Sequence, residues 1–565
     1  MAALKIENLI TDHLDLWTAA VRPKSSAGRG SNSKLELTGI KKLRELILEL
    51  AVRGKLVPQD PSDEPASVLL ERIAAEKEQL LKEGKIKKPK ALQEISEDEK
   101  PFSVPERWNL VRLGELFEIV YGKGLSTAEL TVDGYDVFGA NGVIGKYSIY
   151  LYEYEQLLVS CRGAYSGTPN ISPPKCFVTS NSLVLENSWK YLSLKYFYYA
   201  LTVGDKDHIV TGSAQPQVTT ANLSPYVIAV PPLAEQHRIV AKVDELMALC
   251  DQLEQCSESQ LAAHQTLVET LLATLTDCAD ADELAQNWAR LSTHFDTLFT
   301  TEASIDALKQ TILQLAVMGK LVPQDPSDEP ASTLLERIAA EKVQLVKEKK
   351  IKKEKPLPAI SEDDKPFLIP EGWVFARLQN VIDVRDGTHD SPKDAVGENT
   401  YPLITSKDFK NGLIDFKNAR YISEEDHVEI SQRSLVEKYD ILFSMIGGNI
   451  GNQVMVMSQR PFSVKNVALF KYFNKECTLP EYVFLYTQHL ANDLQEQAVG
   501  GAQPFISLGA LRSLIFPLPP VSEQHKIAAK VDELMAICGE LKSCLQTSQQ
   551  TQLALAESLV EGALA

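Results

Sequence analysis

The sequence lacks the features that mark membrane, secreted and metal-binding proteins. No apolar run approaches the roughly 18 residues needed to cross a bilayer, and acidic residues interrupt the apolar N-terminus, so it does not read as a secretory signal. The eight cysteines include no C-x-x-C pair, and the nine histidines show no paired spacing. We therefore expect a cytoplasmic protein of several domains, with no membrane partner and no metal site.

An excess of positive charge is also missing. The formal net charge is −18, which argues against a protein that coats nucleic acid by itself through a basic surface. Residues 101–232 and 366–520 have net charges of only −2 and −4, so most of the negative charge lies outside them. If these two stretches touch DNA, we expect basic partner subunits to supply part of the attraction to phosphate.

Motifs for catalysis are absent. The run GVIGKY resembles a phosphate loop, but Tyr147 stands where Ser or Thr would bind Mg²⁺, and its first glycine is wrongly spaced. The glycine-rich turn at residues 447–451 lacks the strand-to-helix pattern of a dinucleotide site. No NPPY or DPPY tetrapeptide and no deaminase signature is present. A stand-alone methyltransferase or nuclease is therefore disfavoured.

Two blocks of the chain occur twice. Residues 54–80 read GKLVPQDPSDEPASVLLERIAAEKEQL and return at 319–345, where only Val68 and Glu78 are replaced, by Thr333 and Val343. Residues 235–250 read EQHRIVAKVDELMALC and return at 523–538 as EQHKIAAKVDELMAIC. The stretches between the blocks differ in sequence and length. Like frames around unlike inserts predict one scaffold built twice to present two different recognition surfaces.

The second repeated block predicts long helices. Apolar residues in 4-3-4-3 spacing are typical of a coiled-coil seam, and they are Ile239, Val243, Leu246, Cys250 and Leu253, then Ile527, Val531, Leu534, Cys538, Leu541 and Leu545. We expect His264, Leu267 and Leu271 to continue the first seam. About 40 helical residues span about 60 Å, which suits a spacer.

The chain ends match the middle of the chain. The C-terminal copy ends with ESLVEGALA, which is level with ETLLATL starting at Glu269, and the segment that follows Leu271 in the centre is similar to the N-terminal segment ITDHLDLW. This predicts a pseudo-cyclic chain whose two ends together rebuild the central helical unit. The Gly/Ser-rich PKSSAGRGSNS between Arg22 and Lys34 predicts a flexible linker.

The inserts differ from the repeated frame in their sequence pattern. Short β-rich runs such as LLVSCRG, NSLVLEN, DILFSMIGG and VALFKYF alternate with turn residues, and each insert adds one aromatic-rich helical segment. These patterns predict compact mixed α/β domains. The predicted boundaries are 1–99 for an N-terminal helical region, 100–232 for the first domain, 233–364 for a central spacer, 365–520 for the second domain, and 521–565 for a C-terminal spacer helix.

Polar side chains gather on one glycine-rich loop of each insert. The first loop, SCRGAYSGTPN, holds Ser160, Arg162, Tyr165, Ser166, Thr168 and Asn170; the corresponding SMIGGNIGNQ holds Ser444, Asn449, Asn452 and Gln453. Arg reads guanine, Asn and Gln read adenine, and hydroxyls serve phosphates or base edges. Each residue alone is also a common turn or surface residue, so the interpretation rests on the clusters.

The repeated motifs carry a family resemblance. GKLVPQDPSDEPAS occurs twice, VPERW and IPEGW open the two inserts, and PP-x-x-EQH-x-I-x-x-KVDELM closes each. With these motifs the chain resembles the DNA-specificity subunit of type I restriction–modification enzymes over essentially all 565 residues. DHLDLWTAA and KKLRELILELAVRGKLVPQD are most similar to the branch with a long N-terminal extension.

The resemblance implies an α+β fold in which two globular mixed α/β target-recognition domains are separated by long antiparallel coiled-coil helices, with pseudo-two-fold and pseudo-cyclic organisation. Each domain would read one half of a split site in double-stranded DNA. The implied partners are two modification subunits, which bind S-adenosylmethionine and methylate adenine, and two restriction subunits, which use ATP and Mg²⁺. The chain itself would hold no cofactor and no catalytic residue. The alternative is a coiled-coil tether carrying two unrelated ligand-binding domains.

The segments GANGVIGKY, RGAYSG and DGTHDSPK are similar to family segments near the DNA. With them and neighbouring polar residues, the DNA-binding candidates of the first domain are Lys123, Asn141, Lys146, Ser160, Arg162, Tyr165, Ser166, Thr168, Asn170, Gln215 and Gln217. The candidates of the second domain are Arg385, Thr388, His389, Lys393, Ser406, Lys407, Ser444, Asn449, Asn452 and Gln503.

Overall fold

A computed structural model of the chain describes residues 6–23, 35–84, 86, 92–186, 191–212, 215–278, 281–410, 412–498 and 504–564. These residues form two compact units. The first contains the described residues up to 259 together with 548–564, and the second contains those from 260 to 547. No helix in these ranges is long and apolar enough to cross a membrane. The predicted linker lies, from residue 24 onward, outside the described residues.

The first unit combines helices with a small β-rich domain. Its helices are α1 (Ile6–Thr11), α2 (Leu14–Ala19), α3 (Thr38–Val52), α4 (Ala66–Lys82), α5 (Leu113–Leu116), α6 (Leu194–Val203), α7 (Thr220–Leu223) and the part of α8 (Leu233–Thr276) up to residue 259. Its strands are β1 (Arg22–Pro23), β2 (Leu35–Glu36), β3 (Asn109–Arg112), β4 (Glu118–Tyr121), β5 (Tyr135–Phe138), β6 (Val143–Tyr147), β7 (Leu157–Ser160), β8 (Pro169–Ile171), β9 (Phe177–Val178), β10 (Ser182–Glu186) and β11 (Val227–Val230).

The sheets of this domain follow from its short apolar runs. All four residues of β7 are buried, as are the first four of β10, which is typical of strands covered on both faces. The main antiparallel sheet has the order β4-β10-β7-β8, and a second sheet has the order β6-β5-β9, in which β5 and β9 are parallel. The strands β11 and β3 pair, as do β1 and β2. The predicted strands LLVS and SLVLE and the predicted aromatic-rich helix, α6, are confirmed.

The second unit has a similar composition. Its helices are the remainder of α8, α9 (Ala281–Ser292), α10 (Phe295–Leu298), α11 (Glu302–Val317), α12 (Ala331–Lys347), α13 (Leu378–Val381), α14 (Glu424–Ser434), α15 (Pro480–Glu496), α16 (Leu508–Ser513) and the part of α17 (Val521–Leu564) up to residue 547. Its strands are β12 (Val374–Arg377), β13 (Ile382–Asp386), β14 (Thr400–Ile404), β15 (Phe409–Lys410), β16 (Leu413–Ile414), β17 (Arg420–Ser423), β18 (Ile441–Ser444), β19 (Gln453–Met455), β20 (Ser463–Val464), β21 (Val467–Tyr472) and β22 (Ile515–Leu518).

The two β-rich domains share one topology despite their divergent sequences. The main sheet of the second domain has the order β13-β21-β18-β19, and its second sheet has the order β17-β14-β20 with β14 and β20 parallel. Strands β12 and β22 pair as β3 and β11 do. The second domain is larger for two reasons. The hairpin β15-β16 lies between β14 and β17, whereas only four residues lie between the equivalent strands β5 and β6. The helix α14 also follows β17.

The C-terminal end of α17 belongs to the first unit, as the pseudo-cyclic interpretation predicts. Within it, Ala556 is fully buried and Leu553 is 7% exposed. The Lys42 ammonium on α3 forms an ion pair with Glu557 at 3.3 Å. Residues near both ends of the chain therefore build the same helical layer.

The buried stripe of α8 corrects one prediction. Ile239, Val243, Leu246 and Cys250 are buried as the heptad spacing predicts, but Leu267 is 51% exposed. The side chains buried instead are Val268, Leu272 and Leu275. Val268 lies eleven residues after the buried Ser257, and an eleven-residue period follows the natural twist of a straight α-helix more closely than seven does. The seam therefore leaves the heptad register after residue 257.

Three repeated motifs meet where each long helix joins its domain. Near the start of α8, the Glu235 carboxylate accepts hydrogen bonds from the Trp108 indole, at 2.9 Å, and from the Gln59 amide. In the second unit, Glu523 accepts equivalent bonds from Trp373, at 2.8 Å, and from Gln324, at 2.6 Å. Burial raises the pKa of both carboxyl groups. In each unit these hydrogen bonds link the glutamine of the PQD motif, the tryptophan at the start of the insert and the glutamate of the EQH motif. They hold the β-rich domain against the start of the long helix.

The glutamine of the EQH motif completes this junction. Gln236 accepts a hydrogen bond from the backbone N–H of Ser193, at 2.9 Å, and donates one to the Pro231 carbonyl, at 2.9 Å. Gln524 likewise accepts from Leu479 N–H, at 2.7 Å, and donates to the carbonyls of Cys477 and Pro519. Both amides satisfy buried backbone groups, so the helix and its domain are held in a defined orientation.

Candidate nucleic-acid interface

Loop 1, residues 160–170, is the turn between β7 and β8. It closes through the hydrogen bonds Ser160 N to Thr168 O and Gly167 N to Ser160 O, both 2.9 Å. Gly163 and Gly167 have φ of +79° and +86°, a conformation that favours glycine. The chain therefore needs glycine at both corners of the turn.

A second segment of the same domain, residues 215–218, lies along loop 1. Gly163 N donates to Pro216 O at 3.0 Å, and Val218 N donates to Cys161 O at 3.0 Å. The Ser166 hydroxyl also donates to Pro216 O at 2.7 Å. Four predicted candidates are exposed together in these two segments, and they are Arg162, Tyr165, Gln215 and Gln217.

Loop 2, residues 444–454, has the same backbone pattern in the second domain. Ser444 N donates to Asn452 O at 2.8 Å, and Gly451 N donates to Ser444 O at 3.1 Å. Gly447 and Gly451 have φ of +77° and +87°. Segment 504–506 lies along it through the bonds Gly447 N to Pro504 O, 2.8 Å, and Ile506 N to Met445 O, 2.9 Å. The predicted correspondence of the two glycine loops is confirmed, and loop 2 exposes Asn449 and Asn452.

The structure corrects three candidates, because burial leaves their side chains no surface for DNA. Ser160 is fully buried, and its hydroxyl donates to the Ala140 carbonyl and accepts from Asn170. Ser444 is fully buried, and among the described residues its hydroxyl has no hydrogen-bond partner. Thr388 is 7% exposed, and its hydroxyl accepts the N–H of Asp390 at 3.1 Å. Ser160 and Thr388 position their loops, and nothing in the structure gives the Ser444 hydroxyl a role.

The half-buried polar residues of loop 1 also make internal contacts. Asn170 donates to the Ser160 hydroxyl and to Thr168 O, both at 3.3 Å. Ser166 is held by Pro216 as described above. Thr168 is half-buried and lends its backbone carbonyl to the loop closure. These three candidates therefore support the surface on which Arg162 and Tyr165 stand.

The β5–β6 hairpin carries two further candidates of the first domain. Asn141 is exposed at its tip, and Lys146 forms an ion pair with Asp136 at 3.2 Å while its side chain stays 47% exposed. The Ser182 hydroxyl donates to Gly139 O at 2.7 Å and ties the hairpin to the main sheet. Lys123 is exposed beyond β4, where its backbone pairs with Val178 and Ser180.

In the second domain, Thr388 occupies the place of Lys123, and His389 beside it is 59% exposed. The imidazole Nε2 of His389 lies 2.7 Å from Asp386 Oδ2, which also pairs with Arg433 at 3.1 Å. Asp386 is 7% exposed, and its Oδ1 has no hydrogen-bond partner among the described residues. This carboxylate orients one exposed imidazole and one exposed guanidinium on the surface.

The remaining candidates of the second domain differ in whether their side chains are free to contact DNA. Arg385 is half-buried and paired with Asp383 at 2.7 Å, so its guanidinium is already engaged. Lys393 and Lys407 are exposed, and Ser406 is half-buried at the start of a short 3₁₀ turn. Gln503 lies outside the described residues.

Loop 1 exposes the guanidinium of Arg162 beside the buried thiol of Cys161. Burial raises the pKa of the Cys161 thiol, so no thiolate forms beside Arg162 at neutral pH. The described residues hold no cluster of His, Cys, Asp and Glu that could bind a metal ion. The exposed side chains of Arg162, Gln215 and Gln217 can offer hydrogen-bond donors and acceptors to a ligand.

Two side chains at this surface were missed from the sequence. Ile446 in loop 2 is half-buried, and Phe505 beside it is 45% exposed. They were missed because only polar side chains were considered as candidates for DNA binding. The matching sequences AQPQ and AQPF do indicate that Phe505 is the counterpart of Gln217.

Comparison with known proteins agrees with this organisation. A family model described as "Type I restriction modification DNA specificity domain" matches residues 105–263 and 370–548. The chain is 42% identical over 593 residues to the "Type I restriction enzyme EcoAI specificity subunit" of Escherichia coli, covering 99% of this chain and 100% of the relative. It is also 42% identical over 604 residues to the EcoEI specificity subunit of Escherichia coli, with coverage of 99% and 100%.

A solved structure is similar at lower identity. The crystal structure of the HsdS subunit from Thermoanaerobacter tengcongensis is 16% identical, with 82% of this chain and 98% of that chain covered and a TM-score of 0.38. The family assignment rests on the sequence matches. The chain belongs to the type I restriction–modification DNA specificity family and is a specificity subunit with two target-recognition domains.

Proposed function

We propose that each target-recognition domain reads one half of a split DNA site. The supporting observation is that loops 1 and 2 form the same backbone hydrogen bonds but expose different side chains. Backbones of the same shape can approach DNA in the same way, whereas unlike side chains select different base edges. The recognised site is then asymmetric, with two unrelated halves.

The long helices set the gap between the two halves. α8 and α17 each contain 44 residues, which corresponds to about 66 Å of helix. Half-sites read from one face of a duplex lie about 34 Å, or a multiple of it, apart. The helices are long enough to cover that distance. Inserting four residues into α8 should change the length of the gap without changing either half-site.

The duplicated surfaces dock two identical modification subunits. α4 and α12 bury equivalent residues, and their exposed residues differ only at Glu78 and Val343, while the half-buried pairs Val68/Thr333 and Leu81/Val346 differ as well. The ion pair between Arg72 and Glu64 recurs between Arg337 and Glu329. Like surfaces bind like subunits, which favours two copies of one partner. Two restriction subunits complete the larger complex.

The chemistry belongs to these partners. S-adenosylmethionine binds the modification subunit, ATP and Mg²⁺ bind the restriction subunit, and this chain acts without a cofactor or a catalytic residue of its own. The net charge of −18 supports this division, because the partners must then supply much of the positive charge that attracts DNA phosphates.

The test is a selection from random duplexes. The full chain is purified with the modification subunits of its own system, and bound DNA is sequenced at a stated salt concentration. We expect two short specified segments separated by a fixed unspecified gap. Enrichment of one contiguous motif, or no enrichment, would contradict the proposal. Turnover of S-adenosylmethionine by the chain alone would contradict its non-catalytic role.

A further inference from the structure

Each glycine loop and the segment beside it contribute one residue to a pair that is polar in the first domain and apolar in the second. In the first domain, Arg162 and Gln217 form an isolated antiparallel bridge between loop 1 and segment 215–218. In the second, Ile446 and Phe505 form the same bridge between loop 2 and segment 504–506. Residues directly opposite each other on antiparallel strands project from the same face. Each pair is therefore one small surface made by two neighbouring side chains.

The first pair is polar and available. Both side chains are exposed, and among the described residues neither forms a side-chain hydrogen bond or an ion pair. A guanidinium offers two parallel N–H donors that match guanine O6 and N7, and an amide can contact the neighbouring base edge. An unengaged arginine beside an unengaged glutamine is suited to a base pair that contains guanine.

The second pair is apolar and partly open. Phe505 is 45% exposed, and Ile446 beside it is half-buried. Neither side chain can donate or accept a strong hydrogen bond. The apolar group that distinguishes one base in the major groove is the 5-methyl of thymine, which aromatic and aliphatic side chains contact.

We propose that positions 162/217 and 446/505 are a specificity-determining pair in each target-recognition domain, the first selecting guanine by hydrogen bonds and the second selecting thymine by contact with its methyl group. This inference rests on the proposed function, since it names the bases that the two domains read. Because both pairs form the same kind of bridge, they occupy equivalent positions in the two domains. The difference between the bases that they select then follows from the chemistry of their side chains.

The experiment uses the full chain in complex with its modification subunits and the duplex that the complex selects. Each thymine of the half-site read by the second domain is replaced in turn by uracil, which removes only the methyl group. Each guanine of the other half-site is replaced by 7-deazaguanine, which removes the N7 acceptor. Binding is measured with wild type, with the double variant I446R/F505Q, with R162I/Q217F, and with the control V428Q, which changes an exposed valine on α14.

The expected result is one uracil position that weakens wild-type binding by about 5-fold or more, and one 7-deazaguanine position that weakens it by about 5- to 150-fold. I446R/F505Q should lose the uracil effect and R162I/Q217F the deazaguanine effect, while V428Q keeps both. The modified duplexes test wild type directly, so a variant that fails to fold does not block the test. If no modified position weakens wild-type binding of its selected site, the inference is overturned and the proposed function stands. If wild type selects no site at all, both are overturned.

Discussion

The Lys55 ammonium donates a hydrogen bond of 2.7 Å to the carbonyl of Leu564, a residue 509 positions later in the chain. The equivalent Lys320 donates to the carbonyl of Thr276, at 2.6 Å, and to that of Cys278, at 2.9 Å. A lysine at the same place of each repeat thus binds the carbonyl end of a long helix, where cations are favoured. The last turn of α17 closes the first unit as the last turn of α8 closes the second.

The first prediction concerns this closure. Removing residues 548–565 should destabilise the first unit, because the buried Leu553 and Ala556 and the acceptor for Lys55 are all lost. Hydrogen exchange should show that α3 amides lose protection, whereas α11 amides keep theirs. Equal loss in both helices, or loss in α11 alone, would contradict the pseudo-cyclic arrangement.

The second prediction concerns pH. Burial raises the pKa of the Glu235 carboxyl group, so the folded chain binds this proton more tightly than the unfolded chain does. The contribution of Glu235 to the free energy of unfolding is then greatest below its ordinary pKa and falls as the pH rises through the raised value. Relative to Glu235→Gln, which does not titrate, wild type should lose stability as the pH rises above the ordinary glutamate pKa of about 4.

Denaturant unfolding at several pH values measures this difference. Glu523→Gln should behave in the same way, since burial also raises the pKa of that carboxyl group. Glu106→Gln alters an exposed residue outside the junction and serves as the control. Parallel stability curves for wild type and Glu235→Gln would show that the buried carboxyl does not titrate as described.

The third prediction concerns partner number. Ala75 and Ala340 are exposed small residues at the same place on α4 and α12. If these faces dock two modification subunits, Ala75→Arg or Ala340→Arg should each leave one subunit bound, and the double variant none, because arginine is too large for a closely packed contact. Native mass spectrometry counts the subunits. Glu78→Val, which copies the residue at 343, should keep both and is the matched control.

The fourth prediction concerns the glycine corners of the loops. Alanine at Gly167 or Gly451 costs about 1–2 kcal/mol in the left-handed region, and the new methyl group at 451 would meet Ala491 at 2.9 Å while that at 167 would meet Val210 at 3.1 Å. Gly167→Ala should weaken binding through the first half-site alone, and Gly451→Ala should weaken the second more strongly.

Binding to duplexes with one half-site randomised separates these effects. Gly448→Ala is the control, because no atom lies within 4 Å of the added methyl group and its counterpart in loop 1 is already Ala164. A uniform loss at both half-sites from either corner variant would argue against separate reading by the two domains.

Much of the architecture could be predicted because the two copies of each repeated block are similar enough to be aligned within the one sequence. Matching GK and EQH motifs locate the frame, and apolar runs such as LLVS and ILFS locate the central strands β7 and β18. The equivalence of loops 1 and 2 followed from their position after those strands. The pseudo-cyclic closure followed from comparing the ends of the chain with its centre.

The errors came from contacts that a sequence does not display. A serine at the end of a strand can face solvent or a backbone carbonyl, and Ser160 faces the carbonyl of Ala140. Heptad counting placed Leu267 in the seam because small departures from seven-residue spacing accumulate along a long helix. Ile446 and Phe505 escaped a search for polar groups, although an apolar surface can also distinguish a base.

The central claim is that two independent domains choose the two halves of one DNA site. Its most direct test is to replace residues 101–230 with the same domain of another specificity subunit and to map methylated adenines in cells that express the complex. We expect the first half-site to change while the second half-site and the gap stay as they were. A change in both half-sites, or in neither, would contradict the claim.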